Sequence, residues 1–248
     1  MAAAYILGRL SNRELTEAPR GEFVYTALLQ RSGLDRKYRV EALDGLAKIR
    51  GTNRIQELLR AINELDQKGD DAREPIRELA SFLLQSGQDE LATHADSFEA
   101  FSLKGRLAIT RQTGWAASVT ATKTTEPWWN KAKDNPALLT DLVYAVEWIP
   151  DVNLRSTCYE KLKALATGHE PAELQRAAIS ALSAVPGHDA ETFDILAGLV
   201  RGATNVRESI ESLQRVQAGA WPQDLLQSTV EAIVGYLQQV PASQRTDP

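Results

Sequence analysis

Three histidines and one cysteine are the side chains best suited to metal binding or nucleophilic chemistry in this 248-residue chain. His94 lies in the run Ala-Thr-His-Ala-Asp, and His169 and His188 each follow a glycine and precede a predicted helix, which favours turn or cap positions. A zinc or copper site needs three or four converging ligands. The sequence therefore predicts no metal site, no cofactor and no catalytic residue. Cys158, on an apolar helix face, is predicted to be a small buried hydrophobe.

Catalytic motifs that bind cofactors or build nucleophiles are missing from the sequence. There is no GxGxxG, P-loop, HExxH or GxSxG run, and one cysteine cannot form an internal disulfide, a CxxC knuckle or a CxxCH haem site. An enzyme whose site forms from scattered Asp, Glu and Arg side chains stays an alternative, because fold alone does not decide function. That alternative requires a pocket in which carboxylates with shifted pKa values converge.

Charge and hydropathy argue against nucleic acid and membrane partners. The chain has 28 Lys and Arg against 33 Asp and Glu, and its mean hydropathy is −0.30. Residues 1–60 carry 11 basic and 7 acidic side chains, but the two signs alternate, which is typical of a solvated face rather than a nucleic-acid surface. No apolar run approaches the ~20 residues that cross a bilayer. The N-terminal apolar run predicts a short helix, not a secretory signal.

Helical periodicity extends through almost the whole chain and predicts an all-α fold. Ser11, Asp71 and Asn205 each precede a glutamate at capping-box spacing, and glycines follow many of the apolar runs. The Thr-rich segment near 120–126 is predicted as a loop, which would separate sub-lobes 1–121 and 127–248 of one domain, 1–248. The predicted helices are 2–10, 20–31, 36–50, 53–67, 72–86, 88–101, 105–121, 127–132, 136–148, 152–167, 171–185, 189–201, 205–217 and 222–240.

A degenerate repeat joins four of these helices. An arginine followed by an apolar face that ends in leucine recurs at Arg39, Arg155, Arg176 and Arg207. The pattern resembles the second helix of HEAT repeats and predicts a right-handed α-solenoid of antiparallel helix pairs, HEAT/armadillo-like, whose neighbours share one continuous core. The terminal helices are then expected to cover the ends of the stack. An irregular helical bundle is the alternative.

Tryptophans are the candidate binding residues. Trp115 and Trp148 have helical spacing with apolar neighbours and are predicted to be in the core, whereas Trp221 precedes a helix. Trp128 and Trp129 are adjacent in the first turn of a helix, so their two rings cannot face inward on the same side. Because aromatic residues are enriched at interfaces, this pair is the candidate interaction patch. Packing of both rings between repeats is the alternative.

The run from Ala18 to Lys48, with Arg50-Gly-Thr-Asn and Leu58-Leu59 after it, resembles the helical segment of the large PVC-type haem-binding CxxCH proteins. Those proteins are described as membrane-bound dehydrogenase-like. The tail from Glu231 to Thr246 resembles the end of the same segment, and the likeness is strongest at 18–66, 127–166 and 225–246. The chain lacks the family's CxxCH haem site, copper ligands and propeller region, so no catalytic residue carries over.

This resemblance implies a helical module of a multidomain, extracytoplasmic redox protein. The expected function is a non-catalytic scaffold that positions neighbouring cytochrome, cupredoxin or dehydrogenase modules, with protein modules as its partners. The alternative is a free-standing cytoplasmic adaptor that binds a protein or peptide in the concave groove of the solenoid.

Overall fold

The computed structural model describes residues Ala2–Pro241. About three quarters of the chain is helical and the described residues contain no strand, which confirms the all-α fold class. Three short 3-10 helices, Asp70–Ala72, Val146–Trp148 and Ala218–Ala220, accompany seventeen α-helices. The α-helices are α1 Ala2–Arg9, α2 Asn12–Glu17, α3 Glu22–Gln30, α4 Arg36–Arg50, α5 Arg54–Asp66, α6 Arg73–Leu84, α7 Gln88–Ala92, α8 Ala95–Lys104, α9 Ala108–Thr122, α10 Glu126–Ala132, α11 Pro136–Ala145, α12 Val152–Ser156, α13 Tyr159–Thr167, α14 Ala172–Leu182, α15 Asp189–Arg201, α16 Val206–Leu213 and α17 Gln223–Gln239.

The chain divides into two compact units, Met1–Lys123 (unit 1) and Thr124–Pro248 (unit 2). The division falls inside the segment predicted as a loop, but that loop is shorter than predicted. Helix α9 continues to Thr122, and the hydroxyls of Thr120 and Thr122 donate to carbonyls four residues earlier in the helix, at 2.7 and 2.8 Å. The helix then ends at Lys123, whose backbone is left-handed with φ +52°.

In unit 1, α9 is the most deeply buried helix. It packs closely along α8 and also against α5, α6 and α7. A Cβ at Gly114 would lie 2.7 Å from the carbonyl oxygen of Phe98, so only glycine permits the two helices to approach this closely. Trp115, the next residue, is fully buried, which confirms its predicted place in the core. Burying a large apolar side chain contributes roughly 1.5–3 kcal/mol, so α9 organises the core of this unit.

In unit 2, helices contact both their sequence neighbours and the helices beyond them. Helix α11 packs against α14, and α14 packs against α13 and α16. Helix α15 packs against α16 and α17. Trp148 is only half-buried, so its predicted core position is wrong: it lies in a 3-10 helix and donates to Glu147 Oε1 at 3.1 Å. The predicted HEAT-like order of these helices stays a prediction.

The repeated arginine satisfies carbonyl groups at helix ends. Arg39 on α4 is buried and donates to the carbonyls of Leu29 and Arg31, where α3 ends, at 2.5 Å each. Arg155 on α12 donates to the carbonyl of Ile149 at 3.0 Å, after the preceding 3-10 helix. Because the last carbonyls of a helix have no partner within it, a donor from the next helix closes the end and sets the packing.

At two other repeat positions the arginine does something different. Arg176 pairs with Glu173 in its own helix, while its neighbour Gln175 donates to the carbonyls of Ala166 and Gly168 at the end of α13, at 3.0 and 3.2 Å. Arg207 pairs with Glu211 one turn later. The repeat is therefore degenerate in its contacts as well as in its sequence.

The predicted helix starts have mixed outcomes. The capping box at Ser11 is confirmed, since its hydroxyl accepts from the Glu14 N–H and that carboxylate accepts the Ser11 N–H. The predicted capping boxes at Asp71 and Asn205 are wrong. Asp71 lies in a 3-10 helix. Asn205 does occupy the N-cap of α16, but its side chain donates to Gln175 Oε1 at 2.7 Å instead of capping the helix. Sequence periodicity also missed α2.

Two helices predicted as continuous are each divided. The segment 88–101 is broken before His94, whose N–H donates to the carbonyl of Leu91, and α8 follows. The segment 152–167 is broken at Thr157 and Cys158, where the backbone tightens to bonds between residues three apart. This tightening accompanies burial of Cys158, as predicted, and burial raises the pKa of its thiol.

Candidate protein-interaction surfaces

Trp128 and Trp129 lie on α10, whose first turn contains Pro127 and begins at Glu126. Their rings have different environments: Trp128 is buried, with 8% of its surface exposed, whereas Trp129 is half-buried. The expectation that the two rings do not share one inward face therefore agrees with the geometry. Of the pair, Trp129 is the ring that remains available at the surface.

A cation lies over each of the two rings. The ammonium of Lys131 is 5.6 Å from the Trp128 ring centre, and that of Lys161 on α13 is 5.2 Å from the Trp129 ring centre. The Lys161 ammonium also pairs with the carboxylate of Glu126. This hydrogen bond and the charge of Lys161 lower the pKa of Glu126. Lys161 therefore joins α13 to α10 and fixes one side of the Trp129 ring.

A pair of hydroxyl groups also links α10 to the segment that precedes α13. The hydroxyls of Thr125 and Thr157 lie 2.9 Å apart, linking the start of α10 to the turn between α12 and α13. We call Trp129, Lys161 and Glu126 the tryptophan patch. It combines a half-buried aromatic ring with a fixed pair of opposite charges.

A groove in unit 1 is a second candidate surface, and sequence reasoning did not find it. Its volume is about 800 Å³, and its floor is apolar, formed by side chains such as Leu43, Leu58 and Phe82. Arg36 lies over the Phe82 ring at 4.1 Å and donates to Gln85 Oε1 at 2.7 Å. The groove forms where ends of α4, α5, α6 and α7 meet, a juxtaposition that no local sequence pattern indicates.

Both charge signs border this groove. Arg54 holds Asp44 through two bonds of 2.5 and 2.7 Å, and this pairing lowers the pKa of the Asp44 carboxyl group. Asp89, Glu90 and His94 line the groove as well. The groove therefore has a rim of mixed charge over an apolar floor.

The three histidines lie in different settings. His94 lines the groove, His169 is exposed after α13, and the His188 ring stacks on Tyr159 with ring centres 3.7 Å apart. Within Ala2–Pro241, no three His, Cys, Asp or Glu side chains come together in a way that could hold a metal ion. None of the α-helices in that range is both long and apolar enough to cross a membrane.

Carboxylates with clearly shifted pKa values hold helices in place. Hydrogen bonds from Arg176 and Lys163 lower the pKa values of Glu173 and Glu191, as other partners do for Asp44 and Glu126. A general acid at neutral pH needs the opposite shift, a raised pKa. The pairs of Asp44 with Arg54, Glu126 with Lys161 and Glu191 with Lys163 join different helices, whereas Glu173 and Arg176 pair within α14.

Large apolar side chains remain exposed on the terminal helices. Tyr5 and Ile6 on α1 and Phe23 on α3 are each at least 60% exposed, and Val230, Val234 and Leu237 on α17 are each at least 46% exposed. Both predicted terminal helices, 2–10 and 222–240, therefore carry exposed apolar side chains, and their role in covering the ends of a stack stays a prediction. The signal in the sequence was the doubled apolar pairs of α17, which widen its apolar arc beyond one packing face.

Comparison with protein-family models, curated proteins and solved structures found no match for this chain. The resemblance to the PVC-type haem-binding proteins stays a prediction.

Proposed function

We propose that this chain is a non-catalytic helical scaffold built as a right-handed, degenerate HEAT-like solenoid that binds protein modules. The packing of alternate helices in unit 2 carries this proposal. Helices α11, α14 and α16 contact one another in turn, while α13 and α15 are joined by Tyr159–His188 stacking and α15 contacts α17. The first series of contacts is α11, α14 and α16, and the second is α13, α15 and α17. A stack of antiparallel helix pairs requires two such series, because each repeat contacts only its neighbours.

A polar ladder across the first series supports the same arrangement. The Tyr144 hydroxyl on α11 donates to Glu173 on α14 at 3.0 Å. Glu173 is also held by Arg176, whose guanidinium lies 3.9 Å from Glu208 on α16. Side chains that recur at one height of successive helices can form such ladders, which supports stacked helix pairs over an irregular bundle.

Within this scaffold we assign module binding to the tryptophan patch. Trp128 anchors α10 in the core, so Trp129 presents its ring in a fixed orientation at low entropic cost. Interface hot spots are enriched in Trp, Tyr and Arg and lie in well-packed settings. The resemblance suggests cytochrome, cupredoxin or dehydrogenase modules of an extracytoplasmic redox protein as the partners.

The alternative function is an adaptor that binds a peptide, and the groove of unit 1 is the observation that favours it. The reading frame downstream of Pro248 separates the two. A frame that continues into a haem or copper module supports the redox scaffold, whereas a stop codon there supports the adaptor. Turnover of alcohol or sugar substrates by the purified chain would contradict both proposals, since both are non-catalytic.

Paired alanine substitutions test the tryptophan patch. Trp128→Ala should lower the melting temperature by several degrees, because truncating a buried aromatic ring costs roughly 3–5 kcal/mol. Trp129→Ala should leave the melting temperature nearly unchanged and weaken binding to the adjoining module about tenfold or more, measured with that module as a separate chain. Trp148→Ala, at a half-buried ring elsewhere in unit 2, is the control and should not change binding. If both patch variants lose several degrees, the interface role fails.

A further inference from the structure

Large apolar side chains of unit 1 are exposed on α1 and α3, two helices that pack against each other. They are Tyr5, Ile6 and Phe23, and we call this set the α1–α3 face. A cavity of about 380 Å³ lies beside Phe23, with an apolar lining that includes Leu7 and Pro75. The cavity is large enough to receive aliphatic side chains from another helix.

The charged side chains that line this cavity are both basic. Arg31 and Lys68 are among its lining residues, and no Asp or Glu is. The Arg31 guanidinium is fixed by the carbonyls of Leu7 and Leu10 at 2.9 and 3.0 Å. Two acids lie near the cavity without lining it: Glu22 pairs with Arg50, and Glu64 accepts a hydrogen bond from the lining residue Gln30 at 2.7 Å.

Helix α17 of unit 2 has the complementary composition. Val230, Val234 and Leu237 recur at i, i+4 and i+7, and they form one exposed line that we call the α17 stripe. The charged residues of α17 are Asp224 and Glu231, both acids. They are seven residues apart and so lie along one flank of the stripe.

We propose that the α17 stripe of one copy of this chain docks on the α1–α3 face of a second copy. The contact is of the helix-in-groove type, in which anchors at i, i+4 and i+7 enter an apolar groove. Asp224 and Glu231 then face the basic rim formed by Arg31 and Lys68. The alternative is that the α17 stripes of two copies dock on each other. Charge complementarity favours the first pairing, because the alternative would bring the acids of two α17 helices together.

The contact joins two different surfaces, so in a pair one copy keeps a free α1–α3 face and the other keeps a free α17 stripe. A heterologous contact of this kind extends into chains unless its rotation closes a ring. Three exposed anchors a side are few compared with the 20–30 residues a side of a standard interface, so the association is weak and reversible. Mass should therefore rise steadily with concentration between about 10 µM and about 300 µM.

Sedimentation or light scattering of two singly blocked variants tests the proposal. Phe23→Glu blocks the α1–α3 face by repelling the acids of α17, and Val234→Glu blocks the stripe by placing a carboxylate against the apolar cavity. Each variant alone should stay monomeric, and a 1:1 mixture should form a dimer and nothing larger, through the intact face of one and the intact stripe of the other.

Ile49→Glu and Val152→Glu, at exposed apolar positions outside both surfaces, should associate like the unmodified chain. Thermal melting shows that each variant is folded, since all four positions are exposed. A monomeric unmodified chain at about 300 µM would overturn the proposal. So would association of Phe23→Glu alone, which indicates stripe against stripe, association of Val234→Glu alone, or equal loss in the two controls.

Discussion

The carboxylate of Asp66, at the end of α5, accepts the backbone N–H of Leu107 at 2.9 Å, although the two residues are 41 positions apart. Its other oxygen accepts the N–H of Arg106 at 2.8 Å. Leu107 is the cap residue of α9 and supplies no side-chain cap itself. A buried acid on one helix therefore performs the capping of another, which ties the central helix of unit 1 to α5.

Replacing Asp66 should destabilise unit 1. Asp66→Ala leaves the buried N–H of Leu107 and the part-buried N–H of Arg106 without their acceptor, and a buried donor that loses its acceptor costs about 1–3 kcal/mol. Asp66→Asn keeps one acceptor oxygen, so its free energy of unfolding should fall by less than that of Asp66→Ala. Urea unfolding followed by circular dichroism measures both, with Asp71→Ala at an exposed acid as the control. Equal losses in the two alanine variants would contradict this role.

Removing Arg39 should cost more than removing an exposed arginine. Arg39→Met leaves the carbonyls of Leu29 and Arg31 without a donor and Glu78 without its partner, so we expect a loss of about 2–3 kcal/mol in unfolding free energy. The double variant Arg39→Met/Glu78→Gln should recover part of the loss. Arg13→Met, which breaks an exposed pair with Glu17, should change stability by less than ~1 kcal/mol.

The close approach of α8 and α9 makes Gly114 intolerant of a side chain. Gly114→Ala forces the helices apart and should destabilise the chain by roughly 1–3 kcal/mol or more. Gly198→Ala is the matched control, because Gly198 is also within a helix but has open space around its missing Cβ. That substitution should stabilise by about 0.5–1 kcal/mol. Thermal unfolding of both variants shows whether Gly114→Ala lowers the melting temperature and Gly198→Ala raises it.

Tyr144 should make stability fall at alkaline pH. Burial and the hydrogen bond to Glu173 raise the pKa of Tyr144 from 10.0 to about 12. Because the folded state holds this proton more tightly than the unfolded state, its contribution is complete below pH 10 and is lost as the pH rises towards 12. Tyr144→Phe should therefore lose less stability than the unmodified chain between about pH 8 and about pH 11 in urea unfolding. Tyr5→Phe, at an exposed ring, controls for loss of a hydroxyl, and a steeper loss in Tyr144→Phe would contradict the prediction.

Local signals predicted the elements that depend on local physics. The bounds of α4 follow from Asp35, whose carboxylate accepts the Lys37 N–H at 3.1 Å, and from Gly51, whose φ of +65° ends the helix. Both features are encoded within a few residues, as is the 3.6-residue apolar period between them. The same logic placed Trp115 in the core and assigned the chain to the all-α class.

The sequence by itself determined that the chain is helical, that its helices are amphipathic, and that its ionisable residues lack metal-ligand spacing. Tertiary structure decided which partner each side chain meets: Asp66 caps a distant helix, the Asn205 side chain donates to Gln175 instead of capping its helix, and Cys158 becomes buried where a helix breaks. It also decided that the α17 stripe stays exposed. An apolar period shows that a face can be buried, but whether another helix covers it depends on contacts between residues far apart in the chain.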